Sequence, residues 1–168
     1  MQAPHIRLAQ PGDEEAIRAV TLAAFEQYAT RPPIHWPSYQ ANILATLANV
    51  GPATQLVAEL ESKIVGTVLL YPAGKGVWEG AQLPHQPEVR LLAVPPEQRG
   101  RGIGRALMEA CLRQARAAGD EVITLHTIEV MEAALHLYER LGFVRAPHLD
   151  FSPAPGLTIH GYWLRLND

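Results

Sequence analysis

Cysteine, lysine and long apolar runs are all scarce in this chain of 168 residues. Cys111 is the only cysteine, so an intrachain disulfide is excluded. It falls on the apolar side of a predicted helix with no cation beside it, which reads as a small buried hydrophobe rather than a nucleophile. No apolar stretch approaches the ~20 residues of a membrane span. Met1 to His5 lacks the charged and apolar parts of a secretory leader, so the cytoplasm is the expected compartment. An excess of one charge is also missing: the net charge is −3, which speaks against nucleic acid or a membrane surface as partner. No metal-ligand cluster, nucleophile elbow or Cys/His pair is visible.

What is present suffices for one globular unit. Apolar residues make up 48% of the chain, and no repeat, low-complexity tract or linker divides it, so residues 1–168 are read as a single domain. Ile6 to Leu8 is a first strand. Pro11-Gly12-Asp13 offers a turn and an N-cap for a helix carrying Ile17, Val20, Ala24 and Tyr28 at helical spacing. Prolines 32, 33 and 37 interrupt it, and Ser38 is the expected cap of a second helix. Leu56–Leu60 and Ile64–Tyr71 form a hairpin whose turn lacks glycine. Val89–Val94 is a strand stopped by Pro95-Pro96. A strongly amphipathic helix covers 103–118, with Ile103, Leu107, Ala110, Cys111, Gln114 and Ala118 on one face and Glu109 paired to Arg113 outside. A strand at 122–128, a short helix ending at Gly142, and a strand at 158–166 complete the chain. The expectation is a mixed α/β sheet, antiparallel early and partly parallel near residues 89–128.

One segment carries chemistry. Gln98-Arg99-Gly100-Arg101-Gly102-Ile103-Gly104 lies between a strand and the amphipathic helix. Glycines let the backbone turn tightly and let a ligand approach. The first amides of the helix have no intrahelical partners, and the dipole and the arginines add positive charge. A phosphate site is one reading, and a plain glycine-rich loop is another. A dinucleotide turn fails, because Arg105 stands where a third glycine is needed.

The stretch EVRLLAVPPEQRGRGIGRALM resembles the central motif of the GNAT-type N-acetyltransferase superfamily, with Arg99, Gly102 and Gly104 in the matching positions. AALHLYERLGF at 133–143 is similar to that family's second motif at the family's distance, and the early helix and hairpin also fit. The resemblance implies a GNAT-like sheet whose strand before the loop splays from the next one. It implies an acetyl-CoA site at Leu92, Ala93, Val94, Arg99, Gly100, Arg101, Gly102, Ile103, Gly104 and Arg105, with the pantetheine arm along the strand and the pyrophosphate on the loop. An amine of a small molecule or peptide would attack the thioester directly, without a covalent enzyme intermediate and without a metal. Tyr138 matches the family tyrosine that protonates the leaving thiolate; otherwise it is a core aromatic. Glu88 resembles the acid from which family members deprotonate the amine; otherwise it is a solvated strand end. His126 is a structural hydrogen bonder or a base. Met131 stands where the family often has asparagine, so a polar contact to the cofactor arm is replaced by an apolar or backbone one. Trp78, Glu79 and His85, and the segments 30–37 and 73–87, are the expected acceptor determinants. Small domains of this kind often pair as homodimers. A protein that binds acyl-CoA without turnover is the alternative.

Overall fold

The computed structural model describes residues 2–75 and 85–167. Along the chain run β1 (His5–Leu8), α1 (Glu14–Glu26), α2 (Trp36–Ala48), β2 (Thr54–Leu60), β3 (Lys63–Tyr71), β4 (Glu88–Ala93), α3 (Ile103–Ala117), β5 (Val122–Thr127), α4 (Glu132–Arg140), β6 (Val144–Arg145), β7 (Phe151–Ala154) and β8 (Leu157–Arg165). Short 3-10 turns lie at Pro96–Gln98 and Pro147–Leu149. The strands form a sheet ordered β1-β2-β3-β4-β5-β8-β6, with β7 pairing β8. β1 to β4 are successive antiparallel neighbours, β4 and β5 are parallel, and β8 returns antiparallel to β5. The mixed α/β architecture is as expected. β6 and β7 are additions to the expected strands, because a two-residue strand has no period to read and β7 contains Pro153, which reads against a strand.

Two apolar clusters hold the helices to the sheet. Leu56, Val68, Leu70, Ile123 and Leu125 pack with Ile103, Leu107, Met108 and Cys111 of α3. Ala93, Ile128 and Ile159 pack with Ala24, Phe25 and Ile43 of α1 and α2. Burying one leucine of this kind is worth about 2 kcal/mol, and α3 brings seven buried residues to that layer. Its buried row runs through 103, 107, 111 and 115, with Met108 and Leu112 beside it. Gln114 is only partly buried and Ala118 is exposed, because steps of four follow the helix row more closely than the wider stripe expected. Glu109 bonds Arg105 at 2.8 Å rather than Arg113.

Local chemistry departs from expectation at two helix starts. Asp13 stands at the N-cap of α1 without capping it; its carboxylate accepts from Arg7 and from the Gln10 amide. Helix α2 begins at Trp36 rather than after Ser38, with His35 as its N-cap and Pro37 in its first turn. Proline is tolerated there because the amide it lacks would have no partner. In the β2–β3 hairpin, Glu61 and Ser62 take φ of 49° and 62°, the two left-handed positions of a type I′ turn, here without glycine.

The centre of the sheet is forked. β4 and β5 share two register pairs, Glu88 with Thr124 and Val89 with Leu125. β5 then stays with β8 as far as Thr127, while β4 stays with β3. Ala93 faces Thr67 but Arg90 faces Leu69, so β4 carries one extra residue. Leu91 in that bulge has φ 49°. Such a bulge bends its strand, and here it turns β4 away from β5.

Candidate active site

The loop after β4 is built to leave amides exposed. The Gln98 and Arg99 amides bond back to Pro95 and Pro96 at 2.9 and 3.2 Å. Gly100 and Gly102 are left-handed, with φ of 75° and 74°, and Gly102 is the N-cap of α3. The Ala106 amide makes the first intrahelical bond, to the Gly102 carbonyl at 3.0 Å. The N–H groups of Ile103, Gly104 and Arg105 precede it and open the positive end of the helix. A Cβ at Gly100 or Gly102 would meet nothing within 4 Å, so these glycines supply backbone conformation and open approach. At Gly104 a Cβ would come within 3.1 Å of Leu137, so this glycine keeps α4 close to α3.

These amides face a cleft of about 260 Å³. Leu92, Val94, Arg99, Gly100, Gly102, Ile103, Gly104 and Arg105 line it, with Phe25 and Tyr28 from α1 and Leu137 and Arg140 from α4. Two residues expected here lie outside its wall. Ala93 is fully buried and pairs with Thr67, and Arg101 donates to Gln98 Oε1 at 2.7 Å.

A second cavity of about 100 Å³ opens on the α1–α2 side of β4, lined by Tyr39, Asn42, Ile43, Arg90, His126, Tyr138 and Ile159. Phe25, Leu92, Met131 and Ala134 line both cavities, so the two spaces meet at the fork. Tyr138 is 6% exposed. Burial pushes its phenol above the usual range, and the nearby phenols of Tyr39 and Tyr28 add to the shift, so it stays protonated at neutral pH. Its turn of α4 is fixed by the glycine stop, where the Phe143 amide bonds the Tyr138 carbonyl and the Gly142 amide bonds that of Glu139, both at 3.0 Å. Met131 is buried, with Thr127 Oγ1 at 3.8 Å from its sulfur, so an apolar side chain stands at the junction.

Glu88 is fully buried rather than solvated, with Oε1 2.8 Å from His126 Nδ1. His126 Nε2 lies 2.9 Å from the Leu149 carbonyl. A carbonyl can only accept, so Nε2 carries hydrogen, and one further proton is shared between Nδ1 and the carboxyl. Glu88 therefore borders the second cavity through His126, not directly.

His85 is exposed and lines neither cavity, and Trp78 and Glu79 lie outside the described residues. No residue of 30–37 or of the described parts of 73–87 reaches either wall. Instead α2 supplies Tyr39, Asn42 and Ile43, which share one helical face at i, i+3 and i+4; that spacing was available in the sequence but nothing marked the face as a cavity wall. Cys111 is buried and burial pushes its thiol up to about 12, which suits a packing role. Among the described residues no group of three His, Cys, Asp or Glu could hold a metal, and no helix is long and apolar enough to cross a membrane.

Comparison with known proteins identifies the family and the fold. A family model, Acetyltransferase (GNAT) family, matches residues 20–143, from α1 through the loop to the glycine stop after α4. Mycothiol acetyltransferase of Cellulomonas flavigena is 31% identical over 163 residues, which cover 93% of this chain and 45% of that protein. This chain thus spans less than half the length of that curated relative. An acetyltransferase of the GNAT family from Staphylococcus aureus Mu50 superposes with a TM-score of 0.74 at 17% identity, covering 98% of this chain and 100% of the other. A GNAT family acetyltransferase from Brucella melitensis, solved in complex with acetyl-CoA, gives a TM-score of 0.62 at 24% identity, covering 100% of this chain and 91% of the other. With the family model matching residues 20–143, well over half of the chain, this chain belongs to the GNAT acetyltransferase family.

Proposed function

We propose that the chain transfers an acetyl group from acetyl-CoA to the primary amine of a small molecule or peptide, within a single catalytic domain. The observation that carries this reading is the meeting of two cavities at the β4–β5 fork, with a protonated phenol on the wall. The amides from Gly102 to Arg105, with Arg99 and Arg105 around them, suit a pyrophosphate: they are oriented donors at a helix start, and bare glycines leave room for the anion. The main chain at Leu92 and at Val94, just past β4, suits a pantetheine arm lying beside it as an extra strand. The thioester then reaches Met131 and Tyr138 at the junction, and the amine comes from the side of Tyr39 and Asn42.

In the reaction the amine nitrogen bonds the thioester carbon, the carbon–sulfur bond breaks, and Tyr138 gives its proton to the departing sulfur. The amine loses its proton through water to the Glu88–His126 pair, which meets the cavity at His126. The relative's name, mycothiol acetyltransferase, belongs to a protein of about twice this length, so the acceptor here is taken only as a small amine.

Thiol release from acetyl-CoA, measured with phenethylamine, lysine and glycylglycine as acceptors, tests the reading. Tyr138→Phe should lower kcat by about 10²-fold with little change in the KM for acetyl-CoA. Because burial raises this pKa, the wild type should show no alkaline loss from Tyr138 below pH about 10. An unchanged kcat removes the tyrosine from the mechanism, and acetyl-CoA binding by calorimetry without turnover on any amine points to a silent acyl-CoA binder.

A further inference from the structure

We propose that Arg145, Asp150 and Gly161 form a positioning clamp that fixes the proton on His126, and through it the orientation of Glu88. This rests on the reading of the Glu88–His126 pair as the group that takes the amine proton.

Gly161 is the register partner of His126 across the β5–β8 pair. It sits inside a strand, where no turn demands glycine, and such a position usually marks close approach of another backbone. Here a Cβ would collide with the Leu149 side chain and come within 3.1 Å of the Ala146 carbonyl. The turn Pro147–Leu149 therefore lies flat on β8, and only this contact lets the Leu149 carbonyl reach His126 Nε2.

The ends of that turn are tied down by charge. Arg145 grips Asp150 with two parallel bonds, Nη1 to Oδ1 at 2.8 Å and Nη2 to Oδ2 at 2.7 Å. Its Nη1 also donates to the Gly161 carbonyl at 2.7 Å. Asp150 Oδ1 accepts the Gly161 amide at 2.7 Å, and the Ala146 amide bonds the Gly161 carbonyl at 2.9 Å. Both main-chain groups of Gly161 are thus held by the residues that flank the turn. Planar bidentate pairing fixes orientation as well as distance. The Phe151 ring, 5.4 Å from that of His126 and edge-on to it, closes the other side.

The chemical effect follows from the carbonyl. With Leu149 in place, Nε2 must carry hydrogen, so Nδ1 is the nitrogen that meets Glu88. Without it, either tautomer and either ring flip becomes available, and the carboxyl loses its fixed partner. None of these clamp residues lines the donor cleft, so loosening the clamp should leave the donor site as it was.

The test uses Gly161→Ala and Asp150→Asn in the full chain. It reads kcat with the strongest of the three amine probes, the KM for acetyl-CoA, and the proton–nitrogen NMR signal of the His126 imidazole. The clamp predicts a roughly 10- to 100-fold fall in kcat, an unchanged acetyl-CoA KM, and a shifted or lost Nε2–H signal. A His126 signal unmoved in a folded variant overturns the proposal. If Gly161→Ala does not fold, the nearly isosteric Asp150→Asn decides by the same signal. Glu88→Gln separates the two claims: full kcat in that variant removes Glu88 as base, whereas the imidazole signal alone judges the clamp.

Discussion

At the scale of single residues, position and environment decide function more than residue type. Gly102 and Gly119 have similar backbones, with φ of 74° and 83°, yet only Gly102 opens onto a cleft. Aspartate tolerates a left-handed backbone at a cost of about 1 kcal/mol, so Gly102→Asp should fold. Its carboxylate would stand where phosphate approaches, so calorimetry should find no acetyl-CoA binding; wild-type affinity in the folded variant would refute the site. The loop was legible because its residue types, a strand before it and a helix after it are all local. The state of Glu88 was not legible. Its partner lies 38 positions away and the carbonyl that sets the tautomer lies in a turn without pattern, so nothing near Glu88 distinguishes a buried pair from a solvated strand end.

Elements follow the same division between local and distant causes. Helix α3 was legible almost to the residue, since its apolar row and its stop are written within it. The Gly119 amide bonds the Arg116 carbonyl and the Asp120 amide bonds that of Ala115, both at 3.0 Å, the paired bonds of a left-handed helix stop. A Cβ at Gly119 would touch nothing within 4 Å, so Gly119→Ala isolates the backbone cost. Stability in urea should fall by about 1 kcal/mol with activity retained, and an unchanged midpoint would contradict a strained stop. By contrast β6 and β7 exist only because β8 offers them an edge, and no period within them announces it. The first turn of α2 differs from expectation for a related reason: a proline that breaks a helix interior is acceptable in the first turn.

For the whole molecule, the fork was reached through family resemblance and the order of strands only from the structure, because hydrophobic periodicity says which residues face a core but not which strands adjoin. The fork also joins the two layers of the fold, since its walls come from α1, β4 and α4 together. A donor bound there stabilises the native state by mass action. Acetyl-CoA at a hundredfold excess over its Kd should add about 2.7 kcal/mol and raise Tm by roughly 5–10 °C, read by thermal melting; no shift at millimolar CoA would count against the cleft. On the proposed reading the pantetheine arm bonds the main chain at Leu92 and Val94, and main chain is the same for every amino acid. On that reading mutation can repaint the wall of the second cavity, residue by residue, while this backbone handhold stays as it was, and an enzyme so made can change customers without relearning its trade.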